Sequence, residues 1–126
     1  MKLEHIGISI SDRNEIVNFY QNILGMTEIK KFLLSEQLTK KIFNIAKETE
    51  IFLMKKDDSV IEIFINANNV SRNFNHVCFS VKEREVLISK AKENNYKCIR
   101  EEREYYDLIF IKDNTGNIFE IKESKW

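Results

Sequence analysis

Apolar and polar residues alternate across residues 3–10, with Ile6, Ile8 and Ile10 on one side and His5, Gly7 and Ser9 on the other. Period-two alternation predicts a strand with one face in a hydrophobic core and the imidazole on the opposite face. The design returns at residues 74–81, where Val77, Phe79 and Val81 oppose His76, Cys78 and Ser80. Such a recurrence predicts two copies of one supersecondary unit.

Between the two copies the pattern changes period. Ile16, Phe19, Tyr20, Ile23 and Leu24 recur at three and four, which predicts a helix with one apolar stripe lying on the sheet face of Ile6, Ile8 and Ile10. Asp12, with Glu15 three places on, suits its start as a capping box, and Gly25 suits its left-handed stop. Residues 26–34 read as a strand, and 35–45 as a helical turn or lid begun by Ser35, with Leu38, Ile42 and Ile45 on one side. Strands follow at 50–55 and 60–66, joined by a turn at 56–59. Residues 67–73, with three asparagines, mark the boundary between modules of about 1–70 and 71–126 within a single domain of 1–126.

The second module repeats the order. After its first strand come a helix over about 84–94, with Val86, Leu87 and Ala91 inward, and strands at 97–102, 106–112 and 118–123. Gly116 supplies the positive φ of the last turn. Each half is strand, helix, then three strands.

Composition narrows the function. Lys plus Arg and Asp plus Glu both total 20, with the signs interspersed, so binding of nucleic acid or a membrane through bulk charge is unsupported. Apolar runs are far short of the ~20 residues of a membrane span, and the acidic, polar start lacks the order of a signal peptide. The chain reads as soluble and cytoplasmic. Cys78 and Cys98 have neither redox nor metal-knuckle spacing and are expected as buried small apolar residues.

The same parity applied to the last strand of each half sets Ile61, Ile63 and Ile65 against Val60, Glu62, Phe64 and Asn66, and Phe119 and Ile121 against Ile118, Glu120 and Lys122. If the fully apolar parity packs on the helices, His5, Glu62, His76 and Glu120 point to the other, concave side. Carboxylates flanked by apolar residues are costly there unless paired, hydrogen-bonded or bound to metal. Two imidazoles and two carboxylates suit one divalent transition metal of the Ni, Zn, Co, Mn or Fe class. Read singly, the same residues also suit hydrogen-bonded structural histidines and glutamates at exposed strand edges. Phe64, Phe43, Phe52 and Met54 suit either an apolar pocket or ordinary core. Ser9 and Asn66 either hydrogen-bond a substrate or face water.

Strand-helix-three-strands twice, with His5-Ile-Gly-Ile-Ser-Ile, residues 18–26, Val60-Ile-Glu-Ile-Phe64, Asn75-His-Val-Cys-Phe79 and residues 113–120, resembles the vicinal oxygen chelate superfamily. That superfamily includes glyoxalase I, bleomycin and fosfomycin resistance proteins, methylmalonyl-CoA epimerase and extradiol dioxygenases. The resemblance implies an α+β fold of paired βαβββ modules curling around a concave metal-binding cavity, a small-molecule substrate and a homodimer. It also implies His5, Glu62, His76 and Glu120 as metal ligands, as in glyoxalase I. Enzymes with two histidines and one glutamate are similar at His5, His76 and Glu120 but not at Glu62. Ser9 replaces an arginine that helps hold glutathione in glyoxalase I, whereas Asn66 matches a glutathione-binding position.

The reading that follows is a metal-dependent lyase or isomerase, similar to lactoylglutathione lyase, working by proton transfer next to a carbonyl. Glu120 is its base, Glu62 the partner acid or base, and Ser9, Asn66 and Phe64 line the substrate. The alternatives are an epimerase, dioxygenase or resistance enzyme on the same metal, and a non-catalytic small-molecule binding protein.

Overall fold

The computed structural model describes residues 2–68 and 74–125. The chain divides into two compact units, Met1–Asn69 and Val70–Trp126. The first carries β1 (Ile6–Ile10), a π-helix (Ile16–Gln21), β2 (Thr27–Leu34), α1 (Glu36–Phe43), β3 (Thr49–Lys56) and β4 (Ser59–Ile65). The second carries β5 (Val77–Val81), α2 (Arg84–Glu93), β6 (Lys97–Glu101), β7 (Leu108–Lys112) and β8 (Ile118–Glu123). This is the α+β class expected, with two βαβββ-like modules and one added helix, α1, in the first. Of the expected boundary at 67–73, residues 69–73 lie outside the described residues.

Each unit builds one four-stranded sheet with the same order, β1-β4-β3-β2 in the first and β5-β8-β7-β6 in the second. In both, the first strand pairs parallel with the last, and the remaining pairs are antiparallel. A parallel pair needs a long crossover. The helix and intervening strands of each unit supply it, so the two strands carrying the histidine and glutamate signals become neighbours.

Ile16, Phe19, Tyr20, Ile23 and Leu24 are all buried, as their spacing predicts. Phe19 and Tyr20 meet edge to face with centroids 5.0 Å apart. The turn they form is wider than an α-helix: Asn22 N–H donates to the Val17 carbonyl and Leu24 N–H to that of Phe19, five residues back. The Asp12 carboxylate accepts from Asn14 N–H, two residues on, at 2.9 Å, the bond expected of a capping residue. Gly25, at φ 70, ends the element.

α1 starts as its sequence predicts, with the Ser35 hydroxyl accepting from Leu38 N–H at 3.3 Å. Asn44, left-handed at φ 60, stops it. Leu38, Ile42 and Ile45 are exposed, and Phe43 packs edge-on against Phe64 at 5.2 Å.

Several expectations fail locally. β1 and β5 begin at Ile6 and Val77, not at 3 and 74, and β7 begins at Leu108, not 106. The inward residues of α2 are Ile88 and Ala91, whereas Val86 is 63% exposed. The reason lies at the helix entry: Glu83 and Arg84 N–H groups both donate at 2.9 Å to the Glu123 carboxylate on β8. These two bonds hold the first turn of the helix to β8, with Glu85 turned to meet Arg100 at 2.6 Å. Arg100 holds the Glu85 carboxyl below its ordinary range by hydrogen bond and charge.

The β7–β8 turn is tied by one buried carboxylate. Asp113 accepts from Gly116 and Asn117 N–H and from the Asn117 amide, each at 2.8 Å. Removing a part-buried acceptor leaves donors without their partner, so Asp113→Ala is expected to cost about 2 kcal/mol. Asp113→Asn, which keeps an acceptor, should lose less. Urea denaturation of the three proteins measures the difference.

Candidate metal-binding half-sites

Strand register assigns every residue a face. In the first unit Lys31 lies opposite Phe52 and Phe52 opposite Ile63, while Leu53 lies opposite Glu62 and Glu62 opposite Gly7. Arg13 and Lys31 both stack over the Phe52 ring, at 5.2 and 5.6 Å, which marks the Phe52 face as the helix side. Glu62 is therefore on the other side, with Gly7, Ser9, Ile51, Leu53 and Phe64. In the second unit Phe110 lies opposite Glu120 and Glu120 opposite Cys78, away from the helix-side pair Phe79–Phe119, which stack at 5.9 Å.

Glu62 and Glu120 sit on β4 and β8, each an interior strand of its sheet, and their side chains are only 21% and 14% exposed. The exposed-edge reading of these glutamates does not hold. Each histidine precedes its strand by one residue and lies two positions before the residue that faces the glutamate. His5 Nε2 is 3.7 Å from Glu62 Oε2, and His76 Nε2 is 3.9 Å from Glu120 Oε2. The same constellation is thus built twice.

Both separations exceed a direct hydrogen bond, which spans about 2.7–3.2 Å. They are near the ~3.4 Å at which a nitrogen and an oxygen, each ~2.1 Å from one ion, stand at a tetrahedral angle. His76 Nδ1 lies 2.9 Å from the Phe74 carbonyl. A proton held there leaves the Nε2 lone pair facing the carboxylate, the arrangement a metal-binding imidazole uses. The donor chemistry and spacing fit a divalent ion. Within either unit, the described residues hold no group of three or more His, Cys, Asp or Glu suited to a metal; each unit supplies one pair.

The remaining expected site residues divide. Ser9 and Phe64 share the Glu62 face and lie opposite each other. Asn66 follows β4: its N–H donates to the Ile10 carbonyl of β1 at 2.8 Å, and its Oδ1 accepts from Asn68 N–H in the turn at 3.2 Å. Phe52 and Met54 are not pocket residues of this face, because register turns them to the helix side with Ile63 and Ile61. Ile51 and Leu53 take that place; residues 51–54 are all apolar, so the pairing of β3 with β4 and not its own pattern separates the two faces.

Cys78 corrects another expectation. It is exposed, beside Glu120, and stands where the first unit has Gly7. Desolvation and the Glu120 charge both push its thiol up, keeping it protonated near neutral pH. Phe110, which meets His76 edge-on with centroids 6.4 Å apart, is a site neighbour that residue type alone does not reveal. Lys122 Nζ lies 3.9 Å from Glu120 Oε1 and leaves Oε2 to the histidine. Among the described residues no helix is long and apolar enough to cross a membrane.

Solved structures share this fold. A glyoxalase family protein from Enterococcus faecalis matches with a TM-score of 0.74 at 20% identity, covering 97% of each chain. The trypanothione-dependent glyoxalase I of Leishmania major matches with a TM-score of 0.74 at 15% identity, over 99% of this chain and 88% of that one. The fosfomycin resistance protein FosX of Listeria monocytogenes, complexed with Mn(II) and sulfate, matches with a TM-score of 0.70 at 21% identity, over 98% of this chain and 93% of that one. Comparison with curated protein sequences gave no match. A family model matches residues 2–121, and the chain belongs to the Glyoxalase/Bleomycin resistance protein/Dioxygenase superfamily.

Proposed function

We propose that this protein is a divalent-metal-dependent enzyme acting on a small molecule that offers neighbouring oxygen atoms, with His5, Glu62, His76 and Glu120 as the metal ligands. The observation that carries the reading is the double occurrence of a histidine Nε2 facing a glutamate Oε2, at 3.7 and 3.9 Å. Each unit contributes one histidine and one glutamate to this set of four. Nickel, zinc, cobalt, manganese and iron all accept this donor set.

When bound, the ion supplies Lewis acidity toward a substrate oxygen. The residues supply the rest. In this reading His5 and His76 are the anchors, and Glu120, on an interior strand, takes a proton from the carbon next to a carbonyl. Glu62, the equivalent carboxylate of the other unit, returns one. Ser9 and Phe64 contribute a hydroxyl and an apolar wall on the Glu62 face, and Asn66 borders it.

This glyoxalase-I-like proton transfer has no advantage in likeness over the chemistry of a FosX-type resistance enzyme, since the two matched structures are 15% and 21% identical to the chain. The broader statement, a superfamily metalloenzyme, is therefore the conclusion. Its test is to purify the protein without chelator, load each of the five metals, and count ions bound. Lactoylglutathione formation from the methylglyoxal hemithioacetal and opening of the fosfomycin epoxide are then assayed in parallel. One ion per set of four ligands, lost in His5→Ala and His76→Ala, with metal-dependent turnover in one assay, is the expected result. A protein that takes up no metal and still binds small molecules would be a sequestration protein instead.

A further inference from the structure

Lysine recurs beside both half-sites at one offset. Leu53 lies opposite Glu62, and Lys55 is two residues further along β3; Phe110 lies opposite Glu120, and Lys112 is two residues further along β7. Two residues along a strand keep the same face, so both lysines share the face of the glutamate. One strand across and two residues along puts each lysine Cα ~8 Å from the glutamate Cα. Lys55 lies opposite Val60, and Lys112 opposite Ile118, in the strand row that His5 and His76 enter.

In the second unit the row continues with Lys97, directly opposite Lys112. Like charges directly opposite on one face repel and are a cost to the sheet. None of Lys55, Lys97 and Lys112 forms an ion pair among the described residues. Lys30, opposite Leu53, and Lys122 share these faces too. On the strands, five lysines thus accompany three glutamates, Glu62, Glu101 and Glu120, although the whole chain is neutral. Lys122 keeps Glu120 Oε1 as its partner, whereas Lys55, Lys97 and Lys112 face no carboxylate at ion-pair distance among the described residues.

We propose that Lys55 and Lys112, the latter with Lys97, form anion subsites beside the half-sites, and that the substrate is a small molecule bearing a carboxylate or phosphate group. This rests on the metal reading for the position of the reacting oxygens, but the anion preference is a property of the lysines alone. The ammonium groups on their flexible stems reach over the face as point charges. An anionic group a few bonds from the reacting oxygens falls within that reach.

The test compares three probes of one skeleton: dihydroxyacetone, dihydroxyacetone phosphate and hydroxypyruvate. Each is titrated into the full chain with and without Co(II), followed by calorimetry and ¹H–¹⁵N spectra. The anionic probes are expected to bind about tenfold tighter than the neutral one, as one charge-assisted contact implies. The preference should weaken as salt screens it. Lys112→Gln and Lys55→Gln should each remove much of it, and Lys97→Gln part of it, with Co(II) affinity unchanged. The ratio of the two anionic probes distinguishes phosphate from carboxylate. Equal binding of charged and neutral probes in both preparations, or a preference that survives the double variant Lys55→Gln/Lys112→Gln, overturns the proposal. Loss of the metal reading shows separately, as Co(II) affinity unaffected by His5→Ala and His76→Ala.

Discussion

Glu120→Gln is expected to lower metal-dependent turnover by about 10²–10⁴-fold, the range lost when a positioned general base is removed. Glutamine keeps the volume and one oxygen donor but cannot accept the substrate proton. The site geometry makes the change local: Glu120 projects from an interior strand onto the face opposite Phe119, so the core packing of β8 is untouched. Glu62→Gln tests the companion role and should reduce turnover with a different dependence on substrate. Steady-state kinetics at fixed metal occupancy measure both. Turnover unchanged in Glu120→Gln at full occupancy would remove this residue from the chemistry.

Phe119→Ala should produce the largest loss of stability, about 3–5 kcal/mol, as expected for truncation of a fully buried aromatic side chain. Phe119 is 0% exposed, stacks on Phe79 with rings 8° from parallel, and lies between Val77 and Ile111 in adjacent strands. Its neighbours are strand residues whose backbones are held by ladder hydrogen bonds, so the vacated space is poorly refilled. Phe119→Leu, which keeps much of the volume, should cost far less. Urea unfolding monitored by circular dichroism and by amide signals of β7 and β8 measures both variants. A cost under ~1 kcal/mol for the alanine variant would mean that the site collapses freely around the smaller residue. The two substitutions are adjacent in sequence and opposite in kind, one altering chemistry and the other packing.

The periodicities proved most informative where neighbours in sequence decide the outcome. Strand alternation, the buried stripe from Ile16 to Leu24, the Ser35 cap of α1 and the left-handed Gly25 and Gly116 all concern contacts within a few residues. α2 was less legible. Val86 and Ile88 are both apolar, and the carboxylate of Glu123, distant in sequence, determines which of them turns inward. Cys78 looked like core because its residue type is small and apolar, yet its strand parity already placed it with His76.

From the chain alone come the two repeated units, the face of each strand residue relative to its neighbours, and the candidate donors His5, Glu62, His76 and Glu120. Alternation is local and leaves open which strand lies beside which and in what register. Tertiary pairing alone sets Gly7 against Glu62 and Cys78 against Glu120 and so brings each imidazole within 3.7–3.9 Å of its carboxylate. It also turns Phe52 away from that face and gathers Lys55, Lys97 and Lys112 onto the glutamate-bearing sides. Hydrogen bonds between strands far apart in sequence determine those partners, and no pattern within a single strand encodes them.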